Sequence, residues 1–301
     1  MNRHTFAPRA ARIESIGERL FNFAMTILGL AISVVCLYPI YYVLIASFSK
    51  PLFVENGSVI FSIMGFSLDS YLQAFQKPGL WLSYANTVYY TVVGVLVNMV
   101  FTTTMAYALS KKRLLFRKFF TLFTVFTMWF SAGIIPLYMT FRDFNLLDTR
   151  ASIIFGFAIN TYNLIIMKSF FEQVPESLEE AAFMDGANNI TIFTRIYLPL
   201  SKPALATVGM FYAVNRWNSY FWAMNLINDD KKLPLQVLLK KLIVDRVANE
   251  TESALVTVAS TYSPTTVIYA IIIIAIIPMM IAYPFVQKFF KSGVTLGAVK
   301  G

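Results

Sequence analysis

The chain has 301 residues, of which 57% are hydrophobic and 14% are charged, and its mean hydropathy is +0.62. This balance is too apolar for a soluble domain of ordinary composition and indicates a protein that crosses a membrane several times. The single cysteine, Cys36, and the single histidine, His4, exclude a disulfide framework and a metal site built from several histidines.

Six long apolar runs predict an all-α polytopic membrane protein. A hydrocarbon core of about 30 Å needs roughly 20 apolar residues for each helical span. The runs cover residues 20–48, 84–109, 119–140, 151–171, 204–226 and 266–287. We therefore expect a six-helix transmembrane domain over 20–290, between an N-terminal tail (1–19) and a C-terminal tail (291–301). The first run is far longer than a signal-peptide core, so we expect a retained anchor.

The basic residues predict the orientation of these spans. The segments that we place inside, counted with the adjoining helix ends, carry 15 Lys and Arg against 7 acidic residues. The outside connections 49–83, 141–150 and 227–265 carry nine of each. The positive-inside rule thus predicts that both termini and the segment 172–203 are cytosolic. The net charge of +9 reflects this topology, and no basic stripe with interleaved aromatic residues indicates nucleic-acid binding.

Two polar connections have their own patterns. Residues 111–118, KKRLLFRK, form a basic turn that we expect among anionic lipid headgroups. Residues 233–244 have apolar side chains at helical spacing with lysines on the other face. This pattern predicts a helix that lies on the membrane, under a docked protein, or simply over the helix bundle.

The longest mostly polar interruption of the second half runs from Pro175 to Pro203. Pro175, followed by Glu176 and Glu179, is typical of a helix start, and Gly186 can end that helix after about three turns. Its apolar residues share one face, which must rest on another surface, and they are Leu178, Ala181, Ala182 and Phe183. A second amphipathic piece follows, and we expect it to end at Pro199 and Pro203.

This interruption also carries a motif. Glu180-Ala181-Ala182, Gly186 and Ile196-Tyr197-Leu198-Pro199 fit E-A-A-x3-G-x9-I-x-L-P at every fixed position. E-A-A-x3-G alone would fit an ordinary amphipathic surface helix. The full pattern resembles the EAA loop of binding-protein-dependent ABC importer permeases of the maltose type. The resemblance implies a type I importer fold, in which this loop is a cytoplasmic coupling helix. The coupling residues that it implies are Glu180, Ala181, Ala182, Asp185, Gly186, Ile196, Leu198 and Pro199.

The end of the chain extends the resemblance. Residues 293–301, GVTLGAVKG, are similar to the terminal signature of carbohydrate importer permeases, particularly those for complex or acidic oligosaccharides. From composition alone, 291–301 is either a frayed end or an extended peptide that orders on a partner.

The resemblance implies several partners. No G-x-x-x-x-G-K-[ST] loop occurs in the sequence, so we expect no cofactor in this chain and no enzymatic activity of its own. Two separate ATPase subunits would bind ATP and Mg. A second permease, an extracytoplasmic solute-binding protein and an oligosaccharide substrate would complete a transporter among the lipids of a bacterial plasma membrane. Maltose-type precedent favours a heterodimer of paralogous permeases.

Polar and aromatic side chains inside the apolar runs are candidates for the substrate pathway. Buried polar groups are costly in a membrane and tend to face a cavity or another helix, and sugars bind to amides and aromatic rings. The candidates are Trp217, Asn218, Asn163, Trp129, Asn160 and Tyr220. Each alone could instead be an interhelical hydrogen bond or an interfacial anchor. Arg216 could meet an acidic sugar or pair helices.

An ion-gradient-driven secondary carrier is the alternative function. Such carriers usually place acidic residues within the membrane, and no Asp or Glu lies in the six runs. A membrane enzyme lacks a nucleophile, base and metal set.

Overall fold

The computed structural model of the chain describes the backbone of residues 15–248 and 262–298, and the side chains of 15–245 and 262–284. Within these ranges the regular structure is helical, with one isolated antiparallel bridge between Ser49 and Phe66. The first half contains α1 (Ile16–Ser47), α2 (Pro51–Glu55), α3 (Asp69–Gln76), α4 (Leu80–Ser110), α5 (Arg117–Trp129) and α6 (Ile134–Asp143). The second half contains α7 (Arg150–Phe155), α8 (Thr161–Phe171), α9 (Glu176–Met184), α10 (Asn189–Ile192), α11 (Leu198–Leu200), α12 (Lys202–Asn218), α13 (Phe221–Leu226), α14 (Leu235–Ala248) and α15 (Pro264–Ala298).

Three single helices of the described chain are long and apolar enough to cross a membrane, namely α1, α4 and the part of α15 up to Pro284. The pair α5 and α6 passes the same test only as one span that is bent by 117°. The predicted span over 119–140 is therefore divided between two helices. Pro136 explains the break, because its ring would clash with the carbonyl of Ala132 in a continuous helix.

The predicted spans 151–171 and 204–226 are each divided into two helices. The first consists of α7 and α8, joined by the non-helical residues 156–160. Asn160 starts α8 because its side-chain oxygen accepts a hydrogen bond from the Asn163 amide at 3.1 Å. The second consists of α12 and α13. The number of six crossings therefore remains a prediction.

The centre of the bundle is α4, which packs against α7, α8, α12 and α14. In contrast, α1 contacts mainly α15, and it is buried only at its last three residues, Ile45–Ser47. The helix α15 continues to Ala298, so residues 291–298 are helical and the prediction of a frayed or extended end is wrong there. Adding residues to an existing helix requires no new nucleation. Residues 299–301 of the terminal signature and most of the tail 1–19 lie outside the described residues.

The helix predicted within 233–244 is present as α14. Leu235, Val237 and Leu239 are buried, and α14 packs on α4 and α15. Helices of the same chain therefore cover the first part of α14, but Ile243 and Val244 are exposed, and contact with the membrane or with a docked protein stays a prediction.

Candidate functional site

The interruption between Pro175 and Pro203 forms the predicted helical elbow. Pro175 is the N-cap of α9, and Gly186 follows the end of that helix with φ of +80°. Left-handed backbone of this kind favours glycine, because other residues carry a Cβ. Asn188 then caps α10, accepting a hydrogen bond from the Thr191 amide at 2.8 Å.

The second arm of the elbow does not end where we predicted. A π-helical turn, Phe193–Tyr197, leads directly into α11, and Ser201 alone separates α11 from α12. Within an α-helix, Pro199 would clash with the Arg195 carbonyl, and the wider turn relieves that contact. Pro203 lies in the first turn of α12, where a missing amide hydrogen costs little.

The predicted coupling residues divide into an outward and an inward set. Glu180, Ala181, Asp185, Gly186 and Pro199 are exposed, and Leu178 and Phe183 of α9 are exposed as well. Ala182, Ile196 and Leu198 are partly buried against a cluster centred on Phe171, Ile192 and Tyr197. Three further exposed apolar residues of the elbow lie outside the predicted coupling set, and they are Met184, Ile190 and Leu200.

Glu179, which the motif does not include, is the buried carboxylate of this elbow. The Tyr197 hydroxyl donates to its Oε2 at 2.8 Å, and the Lys111 ammonium is bound to the same oxygen. Arg113 Nη2 lies 3.2 Å from Oε1. The Lys111 ammonium also lies 3.7 Å from the ring centre of Tyr197 and 4.0 Å from that of Tyr107. Charge–ring contacts at such distances are favourable.

These contacts shift the protonation equilibria of the group. Burial alone would raise the pKa of Glu179, but hydrogen bonds from Lys111 and Tyr197 and the nearby positive charges outweigh burial and hold the pKa below its usual value. Burial lowers the pKa of Lys111, although its pairing with Glu179 opposes this shift. Burial also raises the pKa of Tyr197, and its hydrogen bond to Glu179 adds to the effect. Glu179 is therefore ionised at neutral pH.

The basic turn 111–118 faces this elbow, while its position among lipid headgroups stays a prediction. Besides Lys111 and Arg113, Lys112 pairs with Glu176 at 2.9 Å, and Arg117 pairs with Glu172. Acidic residues of the segment 172–179 thus neutralise most of the turn. A cleft of about 600 Å³ lies between the two segments.

A second cavity, of about 920 Å³, lies between α8, α12 and α13. Four of the six predicted pathway residues line it, and they are Asn160, Asn163, Asn218 and Tyr220. Trp217 does not, because its ring is buried and its indole N–H donates to the Ala275 carbonyl at 3.0 Å. Trp129, at the end of α5, is 86% exposed and does not line the cavity either.

The non-helical residues 156–160 form one wall of this cavity. Polar side chains that were not predicted from the sequence form hydrogen bonds with the backbone of this segment. Asn98 of α4 donates to the carbonyls of Phe157 and Ala158 at 2.8 and 2.9 Å. The Tyr212 hydroxyl accepts from the Asn160 amide at 3.0 Å. A lone Asn inside an apolar run was the available signal for Asn98.

Arg216 is a helix-pairing residue, which was one of its two predicted roles. Its guanidinium donates to Asn98 Oδ1 at 2.9 Å, to the carbonyls of Ile154 and Phe157 at 2.9 and 3.0 Å, and to the carbonyl of Ile153. These carbonyls end α7 or follow it, where helical partners are lacking. Arg216 therefore stabilises the interruption of the fourth run.

Near the other end of α4, Asp148 joins two of the segments that are predicted to lie outside. Its carboxylate accepts from the amides of Asn228 and Asp229 at 3.1 and 3.0 Å, and from the Lys232 ammonium at 3.3 Å. The hydrogen bond from the Asp229 amide is the largest cause that holds the pKa of Asp148 below its usual value. The described residues contain no group of three His, Cys, Asp or Glu that could hold a metal ion.

Comparisons with known proteins agree with this architecture. The polygalacturonan/rhamnogalacturonan transport system permease protein YtcP of Bacillus subtilis (strain 168) is 39% identical over 94% of this chain and 99% of its own. The protein LplC of the same organism is 38% identical over 94% and 96%. A chain of a bacterial ABC transporter involved in the import of the acidic polysaccharide alginate superposes with a TM-score of 0.86, at 44% identity over 92% and 99%.

A family model assigns the chain. Residues 23–296 match the model described as the binding-protein-dependent transport system inner membrane component. Since this match covers nearly all of the spans and the whole elbow, the chain belongs to the family of binding-protein-dependent transport system inner membrane components.

Proposed function

We propose that this chain is a permease subunit of an ABC importer that carries acidic oligosaccharides into a bacterial cell. One observation carries the proposal: an EAA elbow is anchored to the bundle on one side and presents Glu180, Asp185 and exposed apolar side chains on the other. An exposed apolar patch with polar neighbours is typical of a protein-binding surface. The ATPase subunit is the partner that family membership supports.

The remaining parts of the transporter follow from the same assignment. Two ATPase subunits bind ATP and Mg, and a second permease, as a paralogue, completes the pathway. An extracytoplasmic solute-binding protein delivers the substrate. Both termini are cytosolic, and α5 to α8, α12 and α13 complete six crossings as bent or broken helices. Broken helices are tolerated at membrane depth where neighbouring groups satisfy the freed backbone, as Asn98 and Arg216 do here.

The substrate pathway in this proposal is the 920 Å³ cavity. Its amide and phenol groups suit the hydroxyl and carboxylate groups of sugars, and its rings suit their C–H faces. The acidic class is supported by the names of similar proteins, which cite polygalacturonan, rhamnogalacturonan and alginate. Four of the N–H donors of Arg216 are already bound within the chain, so we assign the sugar contacts to Asn163, Asn218 and Tyr220.

ATP binding drives the cycle through the elbow. The closing ATPase dimer moves α9, and the two permeases alternate between an outward and an inward opening, as in other domain-closure switches. Secondary transport would need no such elbow.

The test is uptake and ATP hydrolysis by the purified complex in liposomes, with oligogalacturonate as the acidic probe and maltotriose as the neutral one. We expect the chain to co-purify with an ATPase and a second permease. Glu180→Lys and Gly186→Leu should retain membrane insertion but lose ATP-driven uptake. Forcing a side chain to a positive φ also lowers stability by about 1–2 kcal/mol.

Gly57→Leu is the matched control for that strain. Gly57 has φ of +67° and lies in an outside segment, with nothing near its missing side chain, so it carries the same backbone penalty away from the elbow. ATP-driven uptake at the wild-type rate in both elbow variants would contradict the coupling role. Gradient-driven uptake by the chain alone would favour a secondary carrier instead.

A further inference from the structure

We infer that Glu179, Lys111 and Tyr197 form a latch that fastens the coupling elbow to the inner end of α4, so that α4 moves together with α9. The inference rests on the proposed function, because it assigns to this latch the transmission of movement from the ATPase side to the cavity. It adds three positioning residues, of which Glu179 and Lys111 lie outside the EAA motif.

The latch contains a largely buried pair of opposite charges. Glu179 is the one buried acidic residue within the described ranges, and the side chains of Glu179 and Lys111 are only 11% and 10% exposed. Removing two charges from water is unfavourable unless their remaining polar atoms are bound. Tyr197 and Arg113 supply those bonds to the carboxylate. The two side chains therefore cannot separate without leaving each charge, at a largely buried position, without its partner.

The three latch residues belong to three different parts of the bundle. Glu179 belongs to α9, Lys111 directly follows the last residue of α4, and Tyr197 ends the π-helical turn that leads to α12. One carboxylate thus joins the coupling helix to α4 and to the segment that leads into α12, and these two helices pack closely with each other. A rotation of α9 must move these helices or break the latch.

The helix α4 is uninterrupted between the cavity wall and the latch. Its residues Asn98 and Thr102 lie on the same uninterrupted helix as the latch, about 20 Å and 14 Å from Lys111 at 1.5 Å per residue. Asn98 holds the cavity wall at Phe157 and Ala158, and the Thr102 and Tyr212 hydroxyls are 2.6 Å apart. A displacement of the inner end of α4 therefore reaches the wall of the cavity through hydrogen-bonded contacts.

The same two segments contain a natural control. Lys112 and Glu176 form an ion pair of 2.9 Å, but their side chains are 74% and 61% exposed. Exposed pairs contribute little, because water screens them and the side chains lose entropy. If the buried geometry matters, rather than charge pairing in general, loss of this exposed pair should leave coupling intact.

The experiment uses the co-purified complex in lipid nanodiscs. In the Cys36→Ser background, Ser219→Cys places a thiol in the cavity lining, and its rate of maleimide labelling is measured with and without ATP. This measurement needs no knowledge of the substrate. We expect Glu179→Gln and Lys111→Met to retain the bound ATPase but reduce the ATP-induced change in labelling rate about tenfold, within the usual range of coupling between sites.

Conservative and combined variants separate a latch from a general packing role. Lys111→Arg keeps the charge and should label like the wild type. Combining Glu179→Gln with Lys111→Met should have no larger effect than either change alone, because both remove the same interaction. Lys112→Gln should stay within about twofold of the wild type. If Glu179→Gln impairs folding, Tyr197→Phe, which deletes one hydroxyl, replaces it with the same expected loss.

Three results would overturn the inference: wild-type labelling in Glu179→Gln and Lys111→Met, an equal loss in Lys112→Gln, or dissociation of the ATPase from the latch variants. The last result would indicate docking instead of transmission. Uncoupling by Glu180→Lys with normal labelling in Glu179→Gln would reject the latch and retain the importer. Absence of an ATPase from the wild-type preparation would reject the importer itself.

Discussion

Replacing Gly94 by alanine tests whether Arg216 is held as firmly as its contacts indicate. A Cβ at position 94 would lie 2.9 Å from Nε, 3.1 Å from Cδ and 3.3 Å from Cζ of Arg216. Nε and Cζ belong to the guanidinium group and Cδ is attached to it, and this group is hydrogen-bonded to Asn98 and to three carbonyls. The side chain therefore cannot move aside without losing hydrogen bonds.

The expected magnitude follows from two opposing effects. Overpacking a core typically costs about 1–3 kcal/mol. Alanine in place of glycine in a helix contributes at most about 1 kcal/mol of stability in return. Because all three contacts fall on immobilised atoms, we expect Gly94→Ala to lower the free energy of unfolding by about 1–2 kcal/mol.

Arg216→Met removes the cause of that penalty. Interhelical hydrogen bonds in membranes average about 0.6 kcal/mol, so the loss of four should cost about 2–3 kcal/mol. In the Arg216→Met background, Gly94→Ala should be neutral or slightly stabilising. The interaction free energy between the two changes should then be about 2 kcal/mol.

Thermal unfolding of the four proteins in one detergent measures this cycle, with about 2 °C expected per kcal/mol. Gly209→Ala is the control on α12, since its Cβ would lie 3.8 Å from Met99 Sδ, an ordinary contact, and its Tm should not fall. Additive effects of Gly94→Ala and Arg216→Met would refute the argument that the two positions share one space.

Two further predictions concern residues on other parts of the bundle. Asp148→Asn keeps the acceptor for the backbone amides but loses the charge that faces Lys232. Folding lowers the pKa of Asp148 from its usual value of 3.8. The wild type should therefore have the higher Tm above about pH 4 and lose that advantage as the pH falls further. A constant difference between the two melting curves from pH 3 to 7 would contradict this. Trp217→Phe should lower stability by about 1 kcal/mol through the lost bond to the Ala275 carbonyl and leave the KM for oligogalacturonate unchanged, whereas Asn218→Ala should raise that KM. A raised KM in Trp217→Phe would return this residue to the substrate pathway.

The sequence contained enough information for the helices but not for their breaks. The helix at 175–186 could be predicted because its start and end signals, Pro175 and Gly186, both lie in one short segment of the sequence. The break at 156–160 could not, because the chain there is apolar and its backbone is satisfied by Asn98 and Arg216, which are about 60 residues distant. Hydropathy measures the run of apolar residues and is insensitive to remote groups that satisfy a non-helical backbone.

The candidate site was predictable to the same extent. The motif predicted that Glu180 lies on the elbow, and Glu180 is exposed there, while its docking role stays a prediction. Glu179 was predicted only as an acidic residue of the helix start and not as a site residue, because its partner Lys111 is 68 positions away and only the packed structure shows which of two adjacent carboxylates faces inward. Trp217 was assigned to the cavity for its residue type, yet its direction on α12 depends on the neighbouring α15.

The π-helical turn Phe193–Tyr197 has a consequence for the angular register of the elbow. An α-helix advances by about 100° per residue, and a π turn accommodates one residue more than an α turn. The turn therefore sets the rotation of everything before it relative to everything after it. Ile192, directly before the turn, is buried in the inner cluster, and Asn218, beyond the turn, lines the cavity. Deleting a single residue between 193 and 197 would rotate one face away from its target by about a quarter turn. The π-helical turn thus sets the rotation about the helix axis. With this rotation, the residues before the turn face the inner cluster and the residues after it face the cavity.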